Sequence, residues 1–115
     1  VKTTTAVERL AALAQETRLE IYRRLVRRGP EGLAAGAIAE ALAIPKPTLS
    51  FHLAALERAG LVTARRQGRS ILYAPDFAAA GELVAFLSES CCADGACAAA
   101  VPLRRPGATP KRSLP

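Results

Sequence analysis

The residues best equipped for chemistry in this 115-residue chain sit together. Cys91, Cys92 and Cys97 are its only cysteines and fall within the stretch SESCCADGAC. Thiolates select soft or thiophilic metals, and no histidine or carboxylate pair lies beside them to offer a harder alternative. His52, the only histidine, lies far up the chain, and Asp94 adds a single carboxylate. Structural zinc usually wants four nitrogen or sulfur ligands, whereas one chain supplies three. Trivalent arsenic takes three thiolates in a pyramid, its lone pair filling the fourth corner. One chain completes that set. Sb(III) accepts the same geometry, and a monomethyl As(III) species needs only two thiols.

The spacing carries a mechanical consequence. Neighbours on an α-helix project about 100° apart, so Cys91 and Cys92 cannot easily share an ion while both are helical. Asp94-Gly95 is a turn dipeptide able to fold Cys97 back towards them. A site on frayed backbone at a helix end is therefore expected. Two other readings stay open. One is a thiol switch answering oxidants or sulfur species, with Cys97 pairing either neighbour because a vicinal disulfide is strained. The other is three small apolar side chains packed under the tail. A thiol enzyme is not expected, since no glycine-rich anion cradle and no His–carboxylate pair surrounds the cluster.

A second constellation suits a polyanion. The formal net charge is +6, which draws the chain to polyanions without identifying nucleic acid. Placement says more. In KPTLSFHLAALERAG, Leu49, Leu53 and Leu56 repeat at i, i+4 and i+7 and make one buried face. Phe51, Ala54, Ala55 and Arg58 then turn outward, with Thr48 and Ser50 on the flanks. Lys46 can neutralise a phosphate or reach a guanine edge. The hydroxyls of Thr48 and Ser50 can bond either, and Phe51 can touch a thymine methyl. His52 lies at the edge of the buried face, as a packed core histidine or as a base contact. Downstream, LVTARRQGRSILYAP is β-prone on both sides of Gln67-Gly68, and Gly68 supplies the positive φ that a hairpin tip requires. The ribbon places Arg65, Arg66, Gln67 and Arg69 at its end. A basic helix entrance and a basic ribbon tip make two phosphate-binding points flanking a groove-sized helix, the pattern of a double-stranded DNA binder.

These residues need a scaffold. Thr5-Ala6-Val7-Glu8 has the form of a capping box opening a helix to about Ala14, with Val7, Leu10, Ala11 and Leu13 apolar. Thr17-Arg18-Leu19-Glu20 repeats that signal for a helix carrying Leu19, Tyr22 and Val26 on one side, widened by Ile21 and Leu25. Gly29-Pro30 stops it. Arg23, Arg24, Arg27 and Arg28 crowd its last turns, where they suit the negative end of the dipole, a sufficient structural reason that leaves them out of the expected binding site. An Ala-rich helix from about Ala34 to Leu42 contributes Leu33, Ile38 and Leu42. Ala43-Ile44-Pro45 then leads into the helix of Lys46, a helix-turn-helix in outline. Pro75 ends the ribbon, and Asp76 caps a last helix over 77–88 with Phe77, Leu83, Val84 and Leu87.

The order α-α-α-α-β-β-α is mainly α, a winged helix-turn-helix. One domain is expected over 1–97, with the cysteine site at 88–97, and a disordered basic tail over 98–115. No apolar run approaches the roughly 20 residues a bilayer span needs, and the first residues have no export h-region. No membrane contact is expected, and a cytoplasmic location, where thiols stay reduced, is.

The run ALAIPKPTLSFHLAALERAGLVTARRQGRSILYAP resembles the core of the ArsR-type (ArsR/SmtB) family of metal-responsive winged-helix repressors. Ser50, His52, Leu53, Leu56, Gly60-Leu61-Val62 and Arg66-Gln67-Gly68 match its pattern. Pro45 and Lys46 stand where the family usually carries Ser-Gln. The resemblance covers roughly residues 5–88. It implies a homodimer through the first and last helices, each recognition helix entering successive major grooves about 34 Å apart on a palindromic operator. Many arsenic-responsive relatives carry Cys-x-Val-Cys in the helix before the recognition helix, and the corresponding GLAAGAIAEAL has no cysteine. Cys91, Cys92 and Cys97 are then the candidate inducer site. The expected function is an As(III)- or Sb(III)-responsive repressor that binds operator DNA as an apo dimer and leaves it on metalloid binding, with a redox- or persulfide-responsive repressor as the alternative. Coupling of about 1–3 kcal/mol per site would suffice for derepression.

Overall fold

A computed structural model describes residues 1–95. Its order is α1 (Thr3–Leu13), α2 (Glu16–Arg28), β1 (Leu33–Ala34), α3 (Ala35–Leu42), α4 (Lys46–Arg58), β2 (Val62–Gln67), β3 (Ser70–Pro75) and α5 (Phe77–Ser88). It is a winged helix-turn-helix with one strand more than expected. The tail at 98–115 and Cys97 lie outside the described residues.

The helix starts depart from the capping-box reading. Thr5 and Glu8 lie inside α1, which opens at Lys2 with no side-chain cap. The cap of α2 is Gln15, not Thr17: its side chain accepts the Arg18 N–H at 2.8 Å. In α2 the buried stripe is Ile21, Tyr22 and Leu25, while Leu19 and Val26 face outward. α2 packs against β3, α1 and α4, and Ile21 and Leu25 on it are fully buried. On α1 the core side is likewise Ala6 and Ala12, with Val7, Leu10 and Ala11 outward.

The extra strand is two residues long, too short to show an alternation in sequence. It pairs antiparallel with β3, Leu33 opposite Tyr73 and Ala34 opposite Leu72, giving the sheet order β1-β3-β2. Gly32 makes this approach possible. Its φ is +82°, and a Cβ there would meet the Tyr73 carbonyl oxygen at 2.8 Å. The hairpin joins β2 and β3 from Val62 opposite Pro75 to Gln67 opposite Ser70. Its two-residue turn is Gly68-Arg69, with Gly68 at φ +62°, the sign that tight hairpin turns demand.

Ile21, Leu25, Ile38, Leu49, Leu53, Leu56 and Leu61 form the sealed centre of the core. Leu49, Leu53 and Leu56 fix the rotation of α4 about its axis. The last helix opens as expected, Asp76 Oδ1 accepting the Ala79 N–H at 3.0 Å. Arg9 ties α1 to α5, its Nη1 donating to the Ala79 carbonyl at 3.0 Å and to Glu82 at 3.1 Å. Both helices also keep apolar side chains in water: Val7 and Leu10 on α1, and Val84 and Leu87 on α5, the last two about 60% exposed. Among the described residues no helix is long and apolar enough to cross a membrane.

Candidate nucleic-acid interface and thiol cluster

The rotation of α4 decides which side chains can meet a groove. With its three leucines sealed, Lys46, Thr48, Ser50 and Phe51 are exposed, and Phe51 shows 63% of its surface. Pro47 costs nothing because a first-turn N–H has no intrahelical partner. Lys46 therefore presents an ammonium, Thr48 and Ser50 present hydroxyls, and Phe51 presents a ring, all from the first turn and a half.

His52 does not share that face. It is buried, and its Nδ1 lies 3.3 Å from Arg18 Nη1. A guanidinium has only protons to give, so Nδ1 accepts and the imidazole proton sits on Nε2. Burial first, and the Arg18 charge second, push the His52 pKa below 6.5 and so favour the neutral ring. Of the two readings open for His52, the geometry is that of the packed histidine. Its ring meets that of exposed Phe51, with centroids 5.5 Å apart in an edge-to-face contact. Arg18 also donates from Nε to the Ala12 carbonyl at 2.7 Å. One side chain thus joins the end of α1 to the middle of α4. Sequence reasoning missed Arg18. Its signal was a cation in the first turn of a helix, where the dipole disfavours positive charge.

The hairpin places Arg66, Gln67 and Arg69 in the open at its end. Arg65 lies further down the ribbon, opposite Leu72, and is turned back: its Nη2 donates to the Glu31 carbonyl at 3.2 Å. Two basic points are thus exposed, the α4 entrance beside the Phe51 ring and the ribbon tip.

The thiols occupy a different setting. The helix ends at Ser88, Glu89 is extended, and both Ser90 (φ 58°) and Cys92 (φ 63°) are left-handed. Two turns follow, with Ala93 N–H to the Ser90 carbonyl at 2.9 Å and Gly95 N–H to the Cys92 carbonyl at 3.2 Å. Released from helical spacing, Cys91 and Cys92 bring their Sγ atoms to 3.5 Å. Two bonds of about 2.3 Å to one thiophilic ion, at pyramidal to tetrahedral angles, separate the sulfurs by roughly 3.4–3.8 Å. Cys92 is disulfide-bonded in this structure; once reduced, its sulfur and that of Cys91 would stand at a separation that suits one shared ion.

A family model for a helix-turn-helix domain matches residues 13–65. No curated protein matches the chain. Among solved structures, an ArsR-like transcriptional regulator from Rhodococcus sp. RHA1 is 30% identical, covering 74% of this chain and 77% of its own, with a TM-score of 0.67. The homodimeric winged helix-turn-helix DNA-binding domain of Mb0332 from Mycobacterium bovis, a possible ArsR-family transcriptional regulator, is 30% identical. There the coverage is 76% of this chain and 82% of that one, and the TM-score is 0.60. A possible transcriptional regulator for arsenical resistance is 28% identical over 70% of this chain and 81% of its own, with a TM-score of 0.61.

Proposed function

The chain belongs to the ArsR family of winged helix-turn-helix transcriptional regulators, and we propose that it is a homodimeric repressor released from operator DNA by trivalent arsenic or antimony bound at Cys91, Cys92 and Cys97. The observation that carries the metalloid reading is the 3.5 Å approach of Cys91 Sγ and Cys92 Sγ on a left-handed turn. A helix would have held them apart. Cys97 would supply the third thiolate, and the reduced cytoplasm would keep all three available.

The dimer reading rests on the outward apolar pairs of α1 and α5. Val7, Leu10, Val84 and Leu87 expose apolar area that a second copy would remove from water, and the Mycobacterium bovis relative is a homodimer. The DNA reading rests on Lys46, Thr48, Ser50 and Phe51 on α4, with Arg66, Gln67 and Arg69 on the ribbon. In each half-dimer α4 would enter a major groove while the ribbon grips the flanking backbone.

The two functions meet on α5 and α1. A metalloid gathering thiols at the end of α5 would reorder the turn that follows it. Arg9 couples α5 to α1, and Arg18 couples the end of α1 to His52 of α4. A shift of α5 is then felt where the recognition helices are spaced.

Arsenite titrated into the operator complex is the test. Release is expected in the native protein, with more than about tenfold higher arsenite needed after Cys91→Ser or Cys92→Ser. Release that survives changing all three cysteines to serine overturns the thiol site. Release by peroxide or persulfide but not by arsenite would move the reading to a redox switch on the same residues.

A further inference from the structure

The C-terminal half of α2 carries four arginines, and the dipole accounts for only part of them. Arg27 and Arg28 lie in the last turn, where the dipole favours a cation, but its effect fades beyond that turn and does not reach Arg23 or Arg24. Nor does Arg28 serve the carbonyls of its own helix, since its Nε donates to Gly32 beyond the turn at 3.2 Å. Arg24, Arg27 and Arg28 stand at i, i+3 and i+4, one face of one helix. Like charges at that spacing oppose helix formation. Among the described residues the one ion pair is Arg9–Glu82, so none of the three is ion-paired, with Glu31 or otherwise. These three arginines and Leu33 line a cleft of about 280 Å³.

The cleft is joined to the ribbon. Leu33, on its wall, belongs to β1, which pairs with β3. From β2 the Arg65 guanidinium reaches the Glu31 carbonyl, two residues before Leu33. The ribbon, with Arg66 and Arg69 at its tip and Arg65 below them, is thus linked to the arginine cleft through β1 and the turn before it.

We propose that the Arg24–Arg27–Arg28 cleft is an additional phosphate-binding site, taking a backbone phosphate of the duplex outside the segment read by α4 and the ribbon. This inference rests on the DNA-binding reading above. It adds a sequence-independent contact that lengthens the footprint on each side of the operator. Three guanidiniums around one cleft match a phosphate, whose oxygens accept forked N–H donors. Arg28, held at Gly32, fixes one wall while Arg24 and Arg27 supply the mobile charge.

The test uses the full chain and two fluorescent duplexes enriched by the protein from a random pool. One is trimmed to the footprint core, and the other is extended by ten base pairs on each side. Arg24→Gln/Arg27→Gln is expected to weaken binding to the extended duplex roughly threefold to tenfold and to make its log–log salt slope shallower by about 1 or more. On the trimmed duplex it should match the native protein. Arg24→Lys/Arg27→Lys, which keeps the charge, should retain most of the slope. Lys46→Ala should weaken both duplexes alike, which separates failure of the main interface from failure of the cleft. Equal slopes for native and Gln variants on the extended duplex overturn the proposal. So does a cleft that answers only free anion, seen as inorganic phosphate raising the native melting temperature but not the Gln variant's, with DNA binding unchanged. A native protein that binds neither duplex would overturn the DNA reading itself, and the cleft with it.

Discussion

The start of α4 and the turn after α5, the regions proposed above to meet DNA and a metalloid, are built on opposite principles. The first turn and a half of α4 is held by what lies beneath it: Leu49, Leu53 and Leu56 are sealed, and Arg18 grips His52 from the side. The turn after α5 that carries Cys91 and Cys92 is laid over no sealed leucines. Cys91 and Cys92 are exposed, and two turn hydrogen bonds and two left-handed residues shape their backbone. A DNA reader must present a fixed constellation, because discrimination between bases depends on placement. A sensor must instead have somewhere to move, and elements that move are drawn from the less stable parts of a fold.

The largest effect expected from this contrast is in stability. Leu53→Ala removes a sealed side chain beneath the reader and should cost about 2–5 kcal/mol. Cys91→Ser, on the exposed turn, should change stability by no more than about 0.5 kcal/mol. Denaturant unfolding of the two variants measures the difference. Comparable losses would mean that the thiol turn is part of the core, and the contrast would collapse.

Within the reader, Phe51 separates presentation from support. Its ring is mostly in water, so Phe51→Ala should leave unfolding nearly unchanged. If the ring meets a thymine methyl, the same change should cost about 1–2 kcal/mol of operator affinity, concentrated at one base pair of each half-site. Competition binding against single-substitution operators locates it. A loss spread evenly over all positions would place Phe51 outside the groove.

The same contrast governs what could be read from the sequence. The rotation of α4 was legible because its signal is periodic: three leucines at helical spacing fix the buried face and turn Phe51 and Arg58 outward, while Ala54 and Ala55, expected outward, are half-buried. Asp76 as a cap and Gly68 as a turn were legible because each meets a local backbone requirement. The core sides of α1 and α2 were not. Both helices carry apolar residues on two sides, and only tertiary packing decides that Ile21 and Leu25 go inward while Leu19 and Val26 stay out. The two-residue β1 has no period to detect, and its clue is Gly32, which must let Tyr73 approach. Arg18 was hidden for a related reason, since its partners, the Ala12 carbonyl and His52, are brought together only by the fold.

The smallest predicted effect concerns that Arg18–His52 contact, and it is the sharpest because the chain has one histidine. Burial and then Arg18 depress the folded pKa below 6.5, so the unfolded chain takes up a proton first as pH falls. The stability linked to His52 is therefore complete above about pH 6.5 and declines as acid is added towards the folded pKa. Arg18→Gln removes the second cause and leaves the first, so the midpoint should rise towards 6.5 without reaching it. The imidazole resonances in a proton NMR titration read both midpoints directly, with no assignment problem. A native midpoint at or above 6.5 would mean that His52 is hydrated and charged, with no fixed partner in Arg18. The reader would then lack its lateral support, and its difference from the thiol turn would rest on the leucines alone.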